Sequence, residues 1–168
     1  MRRLPRPPRG MTLLELTIGL VILVIVASMA VPSMSTWVSR QRLRATAMSL
    51  AIDAGEARQE AARLGRPLYL VFRPGTQWCW AIASRKDADC REPGPGLIKR
   101  VQHGDHPGIT LIQGHAQTFE AQPTMPQAPN GFGQFATLQG DQLRVRLTAL
   151  GRPGLCTPET PLRDIAHC

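Results

Sequence analysis

The sequence lacks most of the residue patterns that carry catalysis or metal binding. It has no CxxC pair and no glycine-rich phosphate loop, and Ser84, the one serine after residue 64, has no nucleophile signature around it. The run His103-Gly104-Asp105-His106 and the nearby His115 offer metal-binding residue types. They stand in a turn-like segment, where solvated histidines are commoner than ligands. We therefore expect no enzyme, no metal site and no cofactor.

Acidic residues are missing from the start of the chain, where the positive charge is concentrated. The formal net charge is +8, and Arg2, Arg3, Arg6 and Arg9 carry half of it. Without these first ten residues, 16 basic residues face 12 acidic ones, a net charge of +4. Such a mild excess permits nucleic-acid binding but does not require it.

A long apolar run follows the basic leader. It extends over residues 11–34, which is 24 residues, and as a helix it would reach about 36 Å, enough to cross a bilayer core of about 30 Å. A cleaved secretory signal is the alternative, with Ala-Ser-Met-Ala at 27–30 as its cleavage site. The leader arginines predict a cytoplasmic N-terminus and an exported remainder.

One acid, Glu15, stands inside this apolar run, where an unpaired carboxylate is costly. The stretch Gly10-Met11-Thr12-Leu13-Leu14-Glu15 resembles the type IV prepilin signal, although that family usually has Phe at the first mature position. The resemblance implies cleavage between Gly10 and Met11 by a prepilin peptidase and N-methylation of Met11. It also implies that Glu15 pairs with the N-terminal amine of a neighbouring subunit, and that Pro32 bends the helix. The alternative for Glu15 is a carboxylate at the headgroup interface.

An apolar stripe at helical spacing predicts that the helix continues to Leu64, with Gly65 as its C-terminal cap. We divide the chain into a leader (1–10), a transmembrane and assembly segment (11–34), an amphipathic continuation (35–64) and a periplasmic β-rich domain (65–168). The stripe residues are Leu43, Ala47, Leu50, Ala54, Ala57, Ala61 and Leu64.

After Gly65 the pattern changes to short apolar stretches separated by Gly and Pro. A long helix packed on one antiparallel sheet would make the fold α+β and pilin-like. Trp78 and Trp80 fall on one face of a predicted strand, and core packing is the expected role for both. The six predicted strands are 68–72, 78–83, 97–101, 109–113, 132–138 and 142–148.

All four cysteines, Cys79, Cys90, Cys156 and Cys168, follow the apolar run. An even number in an exported, loop-rich domain predicts disulfides, with free buried thiols as the alternative. Three connectivities are open, and local pairing would close two loops of about a dozen residues.

The part of the chain from Gly65 onward resembles the FimT/GspH group of minor pilins and pseudopilins. The resemblance rests on the order of four features: GRPLYLVF, WCWAIA, a second Cys, and a late Gly-Arg before a Cys. The resemblance implies a non-enzymatic subunit that assembles into or primes a type II secretion pseudopilus or a type IV pilus. Its partners would be other pilin subunits, the prepilin peptidase and the bacterial inner membrane, with a single span and a periplasmic domain.

A DNA-binding minor pilin for DNA uptake is the alternative. Some FimT proteins bind DNA through a C-terminal Gly-Arg-x-Arg segment, of which Gly151-Arg152-Pro153-Gly154 keeps the Gly and the first Arg. Arg144, Arg146, Arg152 and Arg163 are the candidate contacts. The same arginines could instead form the solvated face of an edge strand.

Overall fold

The computed structural model describes residues 12–122, 130–148, 150–159 and 165–168. The chain divides into two compact units, Met1–Trp37 and Val38–Cys168. The helix α1 (Leu13–Leu64) contains the boundary between them. Its end at Leu64 confirms the prediction, and Gly65 follows it with φ of 64°, the left-handed conformation of a C-terminal cap.

In the first unit, the described side chains from Thr12 to Ser28 are all exposed. The sequence predicts a membrane span over residues 11–34, whereas no helix in the described part of the chain is both long enough and apolar enough to cross a membrane. Met11 lies outside the described residues. The backbone of Pro32 belongs to α1, but its side chain lies outside the description, so the bend at this residue stays a prediction.

The second unit contains eight described β-strands in two four-stranded antiparallel sheets, where the sequence predicted one sheet. Sheet A has the order β3-β2-β1-β5, and sheet B the order β4-β6-β7-β8. A short 3₁₀ turn, His103–Asp105, separates β3 from β4. The strands are β1 (Leu68–Arg73), β2 (Cys79–Ala83), β3 (Leu97–Gln102), β4 (Ile109–His115), β5 (Gln117–Phe119), β6 (Phe132–Thr137), β7 (Gln142–Leu147) and β8 (Pro153–Cys156).

The six predicted strands are confirmed, and β5 and β8 were missed. The predicted strand at Trp78 begins one residue later, at Cys79. β5 has three residues, and β8 begins at a proline, so neither shows the alternating pattern that identifies a strand.

The core of the second unit lies between the inner faces of the sheets and the stripe of α1. Six of the seven predicted stripe residues are buried, whereas Leu64 is 38% exposed because the helix ends there. Trp78 and Trp80 are fully buried and stack with ring centroids 5.5 Å apart, which confirms their core role. The α+β fold with a helix packed on antiparallel sheets is therefore confirmed.

The four cysteines form two disulfides, Cys79–Cys90 and Cys156–Cys168. The first ties the loop after β2 back onto the outer face of sheet A, where both cysteines are buried beside Val71 and Ala81. The second ties the C-terminal residue to the end of β8, and the backbone N–H of Cys168 donates to the carbonyl of Thr157 at 3.0 Å. The structure thus resolves the connectivity that the sequence left open in favour of local pairing.

Candidate functional site

Glu15 lies in the first turn of α1. Its backbone N–H donates to the hydroxyl Oγ1 of Thr12 at 3.2 Å, so Thr12 caps the helix. A carboxylate in this turn is favoured by the helix dipole. Within the described residues, the exposed Glu15 side chain has no ion-pair partner. Thr12-x-x-Glu15 has the spacing of a capping box, and the structure shows the half of it in which Thr12 accepts. This local signal was missed in the sequence.

Three other predicted residues cannot be placed. Gly10 and Met11, at the predicted cleavage position, and Arg163, a predicted DNA contact, lie outside the described residues. Their roles stay predictions.

Arg144 and Arg146 project from the outer face of β7, since residues two apart in a strand share a face. Arg144 is half-buried, and its Nε donates to Oε1 of Gln134 on β6 at 3.0 Å. Its guanidinium carbon lies 4.8 Å from the ring centre of Phe132, which in turn stacks with His115 on β4 at 6.1 Å. These contacts fix Arg144 in place, whereas Arg146 is exposed.

A cavity of about 290 Å³ lies between Arg144 and Arg146 and the start of β8. It is also lined by Phe132, the amide-bearing Asn130 and the hydroxyl-bearing Thr148. Arg152 is exposed beside it, and its backbone N–H donates to Oγ1 of Thr148 at 3.0 Å. Two guanidinium groups with neighbouring hydrogen-bonding side chains can hold an anion such as a phosphate. The structure thus brings Arg144, Arg146 and Arg152 to one region, as the DNA-binding alternative requires.

The histidines that the sequence singled out do not meet. His106 packs against the core indoles, 5.7 Å from Trp80 by ring centres, while His115 stacks on Phe132 at the outer face of sheet B. Asp105 accepts a hydrogen bond from the N–H of Gln102 at 2.8 Å, which closes the 3₁₀ turn. Among the described residues, the one group near enough to share an ion is Cys79, Asp89 and Cys90, and its two sulfurs form a disulfide.

A second cavity, of about 390 Å³, lies between α1 and sheet A. Asp53 on α1 is 1% exposed, and its Oδ1 lies 2.6 Å from Nζ of Lys99 on β3. The hydrogen bond to Asp53 raises the pKa of Lys99, and burial opposes this rise. Glu56, Glu60 and Arg63 also line this cavity. Glu56 pairs with Lys99 and Glu60 with Arg63, so each charged side chain that the structure places in its lining already has an ion-pair partner.

The comparison with known families concerns the start of the chain. A family model described as a prokaryotic N-terminal methylation motif matches residues 6–31. No curated protein and no solved structure matches the sequence. The matched residues include the predicted cleavage position and Glu15. This motif is typical of type IV pilin-like proteins, which are membrane-anchored and generally non-enzymatic, so it supports that class.

Proposed function

We propose that this chain is a minor pilin or pseudopilin of the FimT/GspH type, a non-enzymatic subunit that assembles into or primes a type IV pilus or a type II secretion pseudopilus. The methylation motif over residues 6–31 carries the proposal. The α+β second unit supports it, because a helix packed on antiparallel sheets is the arrangement that the resemblance implies.

In this proposal the prepilin peptidase cuts after Gly10 and the new N-terminal Met11 is methylated. The apolar residues 11–34 hold the chain in the bacterial inner membrane, and the second unit lies in the periplasm. Glu15 then pairs with the N-terminal ammonium of a neighbouring subunit, which offsets the cost of a carboxylate in an apolar setting. The other pilin or pseudopilin subunits are its partners.

Processing of the full chain in a host with a prepilin peptidase tests the first step. We expect mass spectrometry to find a mature chain that begins at a methylated Met11. Gly10→Val should leave the precursor uncut, because the peptidase requires a small residue before the cleaved bond. Gly19→Val is the matched control, since a side chain at this helical glycine meets nothing within 4 Å. A mature chain that begins at Val31 or later would indicate an ordinary signal peptide and contradict the proposal.

The cavity beside Arg144 and Arg146 supports a second candidate, a minor pilin that binds DNA during uptake. Arg146 and Arg152 are exposed and can contact phosphates, while Arg144 is held by Gln134 and Phe132. Two phosphate contacts would give a log–log salt slope of about −2 and weak, sequence-independent affinity.

Titration of the full mature chain in detergent with labelled duplex DNA at two salt concentrations tests this candidate. We expect Arg146→Ala with Arg152→Ala to abolish salt-sensitive binding, while Arg91→Ala, an exposed arginine in the loop after β2, leaves it unchanged. Absence of binding at low salt, or equal losses in both variants, would leave the structural role alone.

A further inference from the structure

The turn between β6 and β7 carries the most exposed large apolar side chain of the second unit that the structure describes. Leu138 is 85% exposed. The turn around it is well fixed, since the N–H of Asp141 donates to Oγ1 of Thr137 at 3.2 Å and the N–H of Gly140 donates to the carbonyl of Thr137 at 3.1 Å. Leu138 is therefore an apolar tip held on a rigid support.

Two contacts hold this tip beside the first residues of the second unit. The hydroxyl of Ser39 donates to Oε1 of Gln139 at 2.7 Å, and Nε of Arg40 lies 3.0 Å from Oδ2 of Asp141. Ser39 and Arg40 come one and two residues after Val38, where the second unit begins. The tip therefore lies at the N-terminal end of the second unit, which follows the apolar residues 11–34 in the sequence.

The same end is basic. Residues 38–44 include Arg40, Arg42 and Arg44 and no acid. Arg40 and Arg42 are exposed, and the acid of the turn, Asp141, is already paired with Arg40. An exposed leucine in a turn that contacts Arg40, with the exposed Arg42 two residues further along α1, matches a bilayer surface that contains anionic phospholipids. Such a surface takes an apolar side chain between its headgroups and attracts guanidinium groups.

We propose that Leu138, Arg40 and Arg42 form a membrane-contact surface that rests the second unit on anionic phospholipids before assembly. This inference rests on the proposed function, because it requires residues 11–34 to hold the chain in the membrane. A single leucine and two arginines bind a bilayer weakly on their own. On a tethered chain they are sufficient to set orientation, because the tether keeps the local concentration of lipid high.

The structure provides a matched control at the opposite end of the unit. Leu150 is also an exposed leucine in a turn, between β7 and β8, and is 44% exposed. A Cβ placed on the adjacent Gly151 would lie 3.5 Å from Cδ of Arg58 on α1. The turn of Leu138 therefore lies against Arg40 of α1, and the turn of Leu150 lies near Arg58. These two helix residues are 18 apart in sequence, which is about 27 Å along the helix axis.

The test uses the full chain, reconstituted with dansylalanine at position 138 or at position 150. The vesicles contain phosphatidylcholine, alone or with an equal amount of phosphatidylglycerol, and a nitroxide on some headgroups of both leaflets. We expect strong quenching at position 138 in the anionic vesicles, weak quenching there in neutral vesicles, and little quenching at position 150. Arg40→Gln with Arg42→Gln should remove the quenching at position 138, whereas Arg152→Gln should leave it unchanged.

Flotation of the same samples separates the two ways of failing. If the chain does not float with the vesicles, the proposed membrane anchorage fails and this inference falls with it. If the chain floats but position 138 is unquenched, or both positions are quenched equally, the contact surface is wrong while the anchorage stands. Equal quenching at position 138 with and without phosphatidylglycerol would overturn the assignment of this surface to anionic phospholipids. If the dansyl signal at position 138 instead changes with the protein-to-lipid ratio, the tip contacts a second copy of the chain and not the lipid.

Discussion

The indole Nε1 of Trp80 donates a hydrogen bond to Oδ2 of Asp53 at 2.8 Å, in the middle of the core. Asp53 is the one carboxylate among the described residues that is buried, and its other oxygen lies 2.6 Å from Nζ of Lys99. One side chain of α1 thereby joins two strands of sheet A. Because Trp80 and Lys99 lie on neighbouring strands, this pair of contacts fixes the position of the helix on the sheet.

We expect Asp53→Ala to lower the free energy of unfolding by about 1–3 kcal/mol, because the buried indole N–H of Trp80 loses its acceptor. Asp53→Asn should cost less, since an amide oxygen can still accept that hydrogen bond. Glu56→Ala is the control: Glu56 lies 3.3 Å from the same Lys99 but is exposed, so its loss should change stability by less than about 1 kcal/mol. Denaturant titrations of the three variants measure these differences, and equal costs at both positions would contradict the role given to Asp53.

The pH dependence of stability should include a contribution from His106. Burial beside the core indoles lowers the pKa of His106, and the charges of Asp105 and Asp53 oppose this fall. A folded-state pKa below the unfolded value of about 6.5 means that the unfolded chain binds the proton more readily. The stability contribution is therefore fully present above pH 6.5 or so and decreases as the pH falls through the lower, folded-state pKa.

Thermal melts from neutral to acidic pH test this contribution. His106→Gln should flatten the fall in melting temperature below about pH 6.5. His103→Gln should not, because His103 is exposed in the same turn. An unchanged slope in the His106 variant would show that its ring stays hydrated in the folded chain.

The packing of sheet B against Phe72 of sheet A depends on a glycine. A Cβ on Gly114 of β4 would lie 2.6 Å from Cγ of Phe72 on β1, with the Cβ of Phe72 nearer still. Because the Cβ of Phe72 cannot rotate away, Gly114→Ala should force the sheets apart and cost about 1–3 kcal/mol. Gly154→Ala on β8, where a side chain meets nothing within 4 Å, is the matched control and should be neutral. A denaturant titration in which both variants match the parent protein would contradict this packing.

The local elements of this fold were readable from the sequence, and the long-range pairings were not. The apolar stripe and Gly65 fix the C-terminal end of α1, and alternation identifies strands such as Gln142–Leu147. The division into two sheets depends on pairings such as that of Leu68 with Phe119, which are far apart in sequence and have no local signature. β8 was missed for another reason: it begins at Pro153, and its pairing with β7 places that proline at a sheet edge, where a missing N–H is tolerated.

In the candidate site, too, the local features could be predicted from the sequence and the long-range contacts could not. The spacing of Arg144 and Arg146 predicts a shared strand face, and the structure confirms it. The support of Arg144 by Gln134 and Phe132 requires the register of β6 against β7, which the sequence does not reveal. Asp53 was missed because a single acid beside an apolar stripe is ordinarily assigned to the solvated face. Its sequence signal was its place three residues after Leu50, together with a core tryptophan that needs an acceptor.

The Glu15 carboxylate can act locally, through its charge in the first turn of α1, or between subunits, as the partner of a neighbouring ammonium. These two roles predict different results for three substitutions. Glu15→Gln keeps a polar side chain in the first turn but removes the charge, so it should prevent incorporation into filaments if the carboxylate pairs between subunits. Thr12→Ala removes the hydroxyl that caps the helix and should cost about 1 kcal/mol of helix stability while leaving incorporation intact. Glu15→Asp keeps the charge on a shorter side chain and should restore part of the incorporation that Glu15→Gln loses. The measurement is the ratio of variant to parent chain in sheared filaments, with membrane levels of the processed chain as the reference. If Glu15→Gln enters filaments as well as the parent chain and Thr12→Ala does not, the acid serves the helix end alone, and the charge-pairing step of the proposed assembly is wrong.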